Sequence, residues 1–156
     1  MAHGLQCLRF VRSIGTTLLI VGLSLSGVAV AADALVTTQR EELESFVDDV
    51  TRDKPDSRID GALGYINPSL TTVKLSAEGG TQVYAEGDSG ELADAVRSAL
   101  GVFDSSDQNL LQHSIRVEGN QATVTTRMGD SSYEQTVIYD LVRRDERWLV
   151  RSLRVL

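Results

Sequence analysis

The 156-residue chain has one cysteine, two prolines, two histidines and one tryptophan, and aromatic residues make up only 5% of it. Each scarcity excludes something. Cys7 lies ahead of an apolar N-terminal stretch, so the body of the chain offers no thiol for disulfides, thiolate zinc sites or cysteine catalysis. His3 also lies near the N-terminus, which leaves His113 alone and rules out paired-histidine chemistry. Internal repeats, low-complexity segments and phosphate-binding or nucleophile motifs are absent. Basic residues are few: 15 against 22 acids, a formal charge of −7. An acidic surface repels nucleic acid, so nucleic acid is not expected as a partner, and neither a metal nor a cofactor is implied.

What is present begins with Arg9 and Arg12, followed by twenty uncharged residues and an Ala29-x-Ala31 step. A basic flank, a short apolar centre around Leu18-Leu19-Ile20-Val21 and small residues at the end form the pattern of an export signal. Residues 1–31 are expected to be removed, with Ala34 as the alternative cut, leaving 32–156 as one periplasmic or secreted domain. Cys7 precedes the apolar centre, where lipoprotein processing would not use it. Twenty residues also match the length of a membrane span. A retained segment would make the chain a single-pass inner-membrane anchor and an assembly subunit, although Gly15, Gly22, Ser24, Ser26 and Gly27 dilute it. The expected mature chain keeps 13 bases against 22 acids, a net −9. Nine of those acids fall between Asp33 and Asp60, while Arg143, Arg144, Arg147, Arg151 and Arg154 oppose only Asp145 and Glu146. The arginines are either a patch for an anionic partner or, the favoured reading, a terminal strand docked near acidic helices.

Periodicity divides the rest. Thr38-x-x-Glu41 reads as a capping box, with Leu43, Phe46, Val47 and Val50 on one face of a helix over residues 39–52. Lys54-Pro55 stops it. Ser57-x-x-Asp60 offers a second cap, before Ile59, Ala62, Leu63 and Ile66 repeat the spacing and Asn67-Pro68 ends it. Gly61 and Gly64 weaken that helix and mark it for close backbone packing or tertiary support. Val73, Leu75 and Ala77 alternate, Gly79-Gly80 turns, and Val83 and Ala85 return as a β-hairpin. Asp88-x-x-Glu91 caps a third helix with Leu92, Ala95, Val96, Ala99, Leu100 and Phe103 in one stripe, closed by residues 104–107. Four strand-like runs follow, at 110–118, 121–128, 133–142 and 147–155.

Turn chemistry sets expected registers. Gly119-Asn120 puts Val117 opposite Ala122, Ile115 opposite Val124 and His113 opposite Thr126. Asp130-Ser131, as a two-residue turn, would put Val124 opposite Val137 and Thr126 opposite Gln135. Asp145-Glu146 would put Leu141 opposite Val150 and Tyr139 opposite Ser152. One face collects Ile115, Val117, Val124, Val137, Leu141 and Val150. The other, in the last two strands, carries Ile138, Val142, Leu149, Leu153 and Val155 around an Asp140 to Arg151 pair, too apolar to stand fully solvated.

Two helices, a hairpin, a third helix and a long sheet ending in Arg144-Asp145-Glu146-Arg147-Trp148-Leu149-Val150 resemble the nuclear transport factor 2-like, or SnoaL-like, superfamily. The resemblance covers residues 35–156, and its best local match is that last hairpin. It implies an α+β fold with three helices on a strongly curved, mostly antiparallel sheet of about six strands, a cone whose open end is often a pocket. It also implies that the outer sheet face can pair two copies, here through Ile138, Leu149 and Leu153. On the inward phase the polar residues are His113, Thr126, Gln135, Tyr139, Ser152 and Arg154, with Tyr133 near the rim, and Tyr65 on the second helix could close the mouth. Tyr65, His113, Gln135, Tyr139 and Arg154 are the candidate ligand-binding residues. Their competing explanation is mutual hydrogen bonding inside a core. No catalytic carboxylate shares their phase, so a non-enzymatic binder of a small apolar or weakly anionic molecule, or of a protein partner, is favoured over a hydratase or isomerase using His113 and Tyr139.

Overall fold

The computed structural model describes residues 35–77, 79–101, 109–130 and 132–156. The expected export signal and its cut sites, Phe103 and residues 104–107 lie outside them. Among the described residues no helix is long and apolar enough to cross a membrane. The chain forms two compact units, Met1–Gln39 and Arg40–Leu156. Of the first, only the helical residues 35–39 are described; the second holds the sheet and the core.

Helix α1 covers residues 35–50. Its apolar stripe is buried as the spacing predicts: Leu43 and Phe46 are fully covered, and Val47 and Val50 nearly so. Thr38 lies inside this helix rather than at its cap. Helix α2, Pro55–Gly64, starts two residues before the predicted Ser57 cap, with Pro55 in its first turn and Lys54 as N-cap. The fixed φ of proline suits that position and needs no amide hydrogen, so Pro55 begins one helix rather than merely ending another. Strands β1, Val73–Ala77, and β2, Gly80–Tyr84, form the predicted hairpin. Its phase differs on the return: Tyr84 lies opposite Val73 and is buried, while Val83 lies opposite Lys74 and is exposed. Helix α3, Ser89–Leu100, has Asp88 at its N-cap without a side-chain cap bond. The Asp88 carboxylate instead accepts from the Ala85 amide at 2.8 Å. A cap contributes about 1 kcal/mol, whereas burying Leu92 and Val96 contributes about 1.5–3 kcal/mol each. Packing therefore holds this helix.

Strands β3, Asn109–Glu118, β4, Gln121–Gly129, β5, Glu134–Arg144, and β6, Arg147–Val155, complete the sheet. Its order is β2-β1-β6-β5-β4-β3; β1 runs parallel to β6 and all other pairs are antiparallel. The β3–β4 register is the predicted one. Between β4 and β5 the connection is longer than the two-residue turn expected, with the Asp130 amide donating to the Tyr133 carbonyl at 3.0 Å. Val124 therefore faces Tyr139, and Thr126 faces Val137. A shift of two residues keeps each side chain on its face.

The β5–β6 pair begins as predicted, with Leu141 opposite Val150, but the next pair is Asp140 with Ser152. Arg151 has no opposite residue, and this β-bulge inverts the phase of the strand beyond it. Leu153 joins the core cluster and Val155 packs against it, while Arg154 turns outward to Asp140 at 3.4 Å. The expected Asp140 to Arg151 pair is replaced by that contact. Leu149 and Leu153 are buried, at 4% and 0% exposure, so neither is open at the surface as expected for pairing with a second copy, and Ile138, the third residue named, is half-buried. The arginine-rich end meets the acidic helix, since Arg143 pairs with Glu42 of α1 at 3.0 Å.

Candidate functional site

The core cluster draws on all three helices and on every strand except β3, whose Ile115 and Val117 pack against the cluster as half-buried neighbours. Where α3 meets the sheet it presents small residues, Ala95 and Ala99, and a cavity of about 390 Å³ opens there. The apolar lining includes Leu75 and Ala77 of β1 and Val155 of β6; Gln82, Ser98, Tyr133 and Gln135 supply the polar atoms. Gln135 is only 5% exposed, and its Nε2 finds no hydrogen-bond partner among the described residues. A buried amide donor without a partner costs about 1–3 kcal/mol. Gln135 lines the cavity while its Nε2 is covered, so a turn of the side-chain amide is what would offer this donor to a ligand acceptor.

The five predicted site residues do not converge. Gln135 lines this cavity, joined by Tyr133 at its edge. His113 lies on the inward side of β3, but at the surface, where its Nε2 meets Glu44 Oε2 of α1 at 3.0 Å. A carboxylate partner for His113 does exist, contributed by a helix rather than by the sheet. Tyr139 is 2% exposed and packs edge-on against Phe46, centroids 5.1 Å apart. Burial raises its phenol well above the ordinary tyrosine range, with Arg58 opposing. Tyr65 packs on the same Phe46 ring at 4.8 Å and donates its hydroxyl to Asp49 Oδ2 at 2.9 Å. It therefore belongs to the α1–α2 side and does not line the cavity of Gln135. Arg154 faces outward because of the bulge at Arg151.

His113 and Tyr139 line neither the Gln135 cavity nor the one beside Tyr65, so the acid–base pair expected across an opening is not assembled. Thr126, between their strands, is 1% exposed and its hydroxyl has no partner among the described residues. No group of three metal-ligating side chains occurs among those residues. The lining residues Gln82 and Ser98 were not anticipated. The signal that was available was the pair of alanines within the α3 stripe, where larger side chains would have filled the space.

No protein-family model matches the chain, and no curated protein matches it. Solved structures do resemble it. A protein of unknown function described as NTF2-like from Shewanella baltica OS155 is 13% identical, with TM-score 0.54, covering 77% of this chain and 94% of that one. Another from Pseudomonas putida KT2440 is 13% identical, with TM-score 0.56, covering 76% and 86%. A protein of unknown function with a cystatin-like fold from Nostoc punctiforme PCC 73102 is 10% identical, with TM-score 0.52, covering 74% and 88%. The chain has the NTF2-like, cystatin-like fold that its last hairpin and element order resemble.

Proposed function

We propose that this NTF2-like domain is an exported, non-enzymatic binder of a small, mainly apolar molecule bearing one acceptor group, a carbonyl or carboxylate. The observation that carries the reading is a largely apolar cavity lined by Gln135, whose covered Nε2 has no partner among the described residues and reaches a ligand by a turn of the amide. A volume of about 390 Å³ falls in the range of small-molecule sites, about 300–1,000 Å³. A largely apolar lining with a few polar groups, Gln82, Ser98, Tyr133 and Gln135, can orient a ligand, and His113 and Tyr139, the expected acid–base pair, do not line it. The basic, apolar and small-residue sequence of residues 1–31 supports export.

The test uses protein expressed with its native N-terminus and recovered from the periplasm. Its intact mass should correspond to a chain beginning at Ala32. In thermal-shift titrations, at least one of dodecanoate, deoxycholate and indole-3-acetate should raise Tm, and Gln135→Leu and Ala95→Phe should each abolish the rise. Ala95→Phe fills the space, whereas Gln135→Leu removes the donor. No stabilisation of the unmodified protein by any of the three overturns the binding reading, and an uncleaved, membrane-bound chain overturns the export reading.

A further inference from the structure

We propose that the Gln135 cavity selects an uncharged ligand, so that a neutral carbonyl compound, a carboxamide or a ketone, binds there in preference to the corresponding carboxylate or amine. This selectivity rests on the binding role proposed for that cavity and narrows the class of molecule it takes. It is a property of the whole wall rather than of one atom. The wall is alkyl, backbone, amide and hydroxyl, with Gln82, Ser98, Tyr133 and Gln135 supplying its polar side chains. Among the described residues that line it, none is Asp, Glu, Lys, Arg or His.

Charge is close at hand in the sequence and is turned away in the fold. A charged residue immediately precedes several of the lining residues: Lys74 before Leu75, Asp94 before Ala95, Arg97 before Ser98, Glu134 before Gln135 and Arg154 before Val155. Asp94 and Arg97 pair with each other at 3.1 Å, and both are exposed. Glu134 meets Arg127 at 3.6 Å, Arg154 meets Asp140 at 3.4 Å, and Lys74 is exposed opposite Val83. An ion entering the cavity therefore finds no counter-ion among these neighbours, and burying an unpaired charge costs far more than burying a hydrogen-bonded neutral group.

The polar side chains suit a neutral carbonyl. Gln82 Oε1 accepts from the Tyr84 hydroxyl, so the Gln82 amide meets a ligand through its NH2. A carboxamide both donates and accepts, and can pair with Gln135 whichever way that amide is turned. A ketone accepts without bringing a charge. A carboxylate only accepts, and its net charge is offset by these dipoles only in part; an ammonium group only donates and meets no carboxylate among the described lining residues.

The test is calorimetric titration at neutral pH with compounds matched in skeleton and different in charge: octanamide, octanoate and octylamine, and indole-3-acetamide with indole-3-acetate. At least one amide should bind saturably, and about tenfold or more tighter than its charged counterparts. Gln82→Lys and Ser98→Lys each put a cation on the lining at an exposed position, and should each move the preference about tenfold or more toward the carboxylate. Ser114→Lys adds the same charge at an exposed position of β3 outside the lining, and should keep the parental preference. All variants are first matched to the parent by circular dichroism. Failure of both amides to bind overturns the selectivity, as does a carboxylate or amine bound as tightly as its amide, or a preference unmoved in both lining variants. If an acid binds while the amides are weaker or silent, the selectivity alone falls and the cavity remains a ligand site. Silence of every compound here, together with the three acids of the thermal-shift test, overturns the binding role as well.

Discussion

At the residue scale, several side chains are decided by one neighbour that lies far away in sequence. Tyr65 meets Asp49, His113 meets Glu44 and Arg143 meets Glu42, all on α1. No strand-to-strand register could place these partners, because α1 is positioned by its buried stripe and not by hydrogen-bonded pairing. Tyr65 carries a measurable consequence. Its pKa is pushed up to about 12, first by burial, then by the hydrogen bond to Asp49, which requires the proton, and by that carboxylate's charge. An unfolded tyrosine titrates near 10. The folded state thus keeps a proton that the unfolded chain releases, and the stability it contributes is full below about pH 10 and lost as pH rises through about 12. Tyr65→Phe should therefore lose less Tm across that window than the parent, in melts followed by circular dichroism. Tyr139, raised in the same direction by burial, leaves a residual alkaline loss in both proteins. Identical losses would mean that the Tyr65 proton is not held by the fold.

At the element scale, much was legible. The apolar stripes of α1 and α3, the β3–β4 register and the Asp145-Glu146 turn follow from periodicity and turn chemistry. Both residues of that turn adopt positive φ, 48° and 62°, as a two-residue hairpin demands. The illegible features are of one kind: places where the chain inserts or skips a residue. The bulge at Arg151 has no glycine or proline to announce it, and it alone sends Arg154 outward and Leu153 inward; Gly129, where a Cβ would collide with the Tyr133 carbonyl oxygen, marks the end of β4 but does not by itself fix the length of the β4–β5 connection. The two α2 glycines looked alike in sequence and separate in the structure. A Cβ at Gly61 would lie 2.2 Å from the Asp49 backbone oxygen, whereas at Gly64 it meets nothing. Gly61→Ala must push α1 and α2 apart, a destabilisation of about 1–3 kcal/mol. Gly64→Ala should be neutral or stabilise by up to about 1 kcal/mol through helix propensity. Urea unfolding of both variants checks the order, and equal effects would remove the close α1–α2 contact.

At the scale of the Arg40–Leu156 unit, short turns made the β3–β6 meander readable, but nothing local says that β1 pairs with β6. Lys74 lies opposite Ser152 in a parallel pair, so the sheet is closed by segments from opposite ends of this unit, and loop-closure entropy opposes that contact until the core compensates. The same topology left the Gln135 cavity out of reach of sequence reasoning, because its walls come from β1, α3, β5 and β6 at once. It also ranks the strands. β5 and β6 lie at the centre of the six-strand order, each two strands from its nearer edge, and together with β4 carry most of the buried sheet residues. β2 is an edge strand of five residues with only Tyr84 buried, and β3 is an edge strand with no fully buried residue. Local opening follows buried contact and backbone exposure, so amide hydrogen exchange should be slowest in β5 and β6, intermediate in β4 and β1, and fastest in β2 and the outward amides of β3. If β1 exchanged as fast as β2 while β6 stayed protected, the hairpin would be opening as a unit away from β6. The Gln135 cavity, which borrows Leu75 and Ala77 from β1, would then lose one wall in the same motion. A ligand seated there should slow exchange in β1 and β2, since the β1–β2 hairpin is the part of the wall least tied to the rest of the sheet.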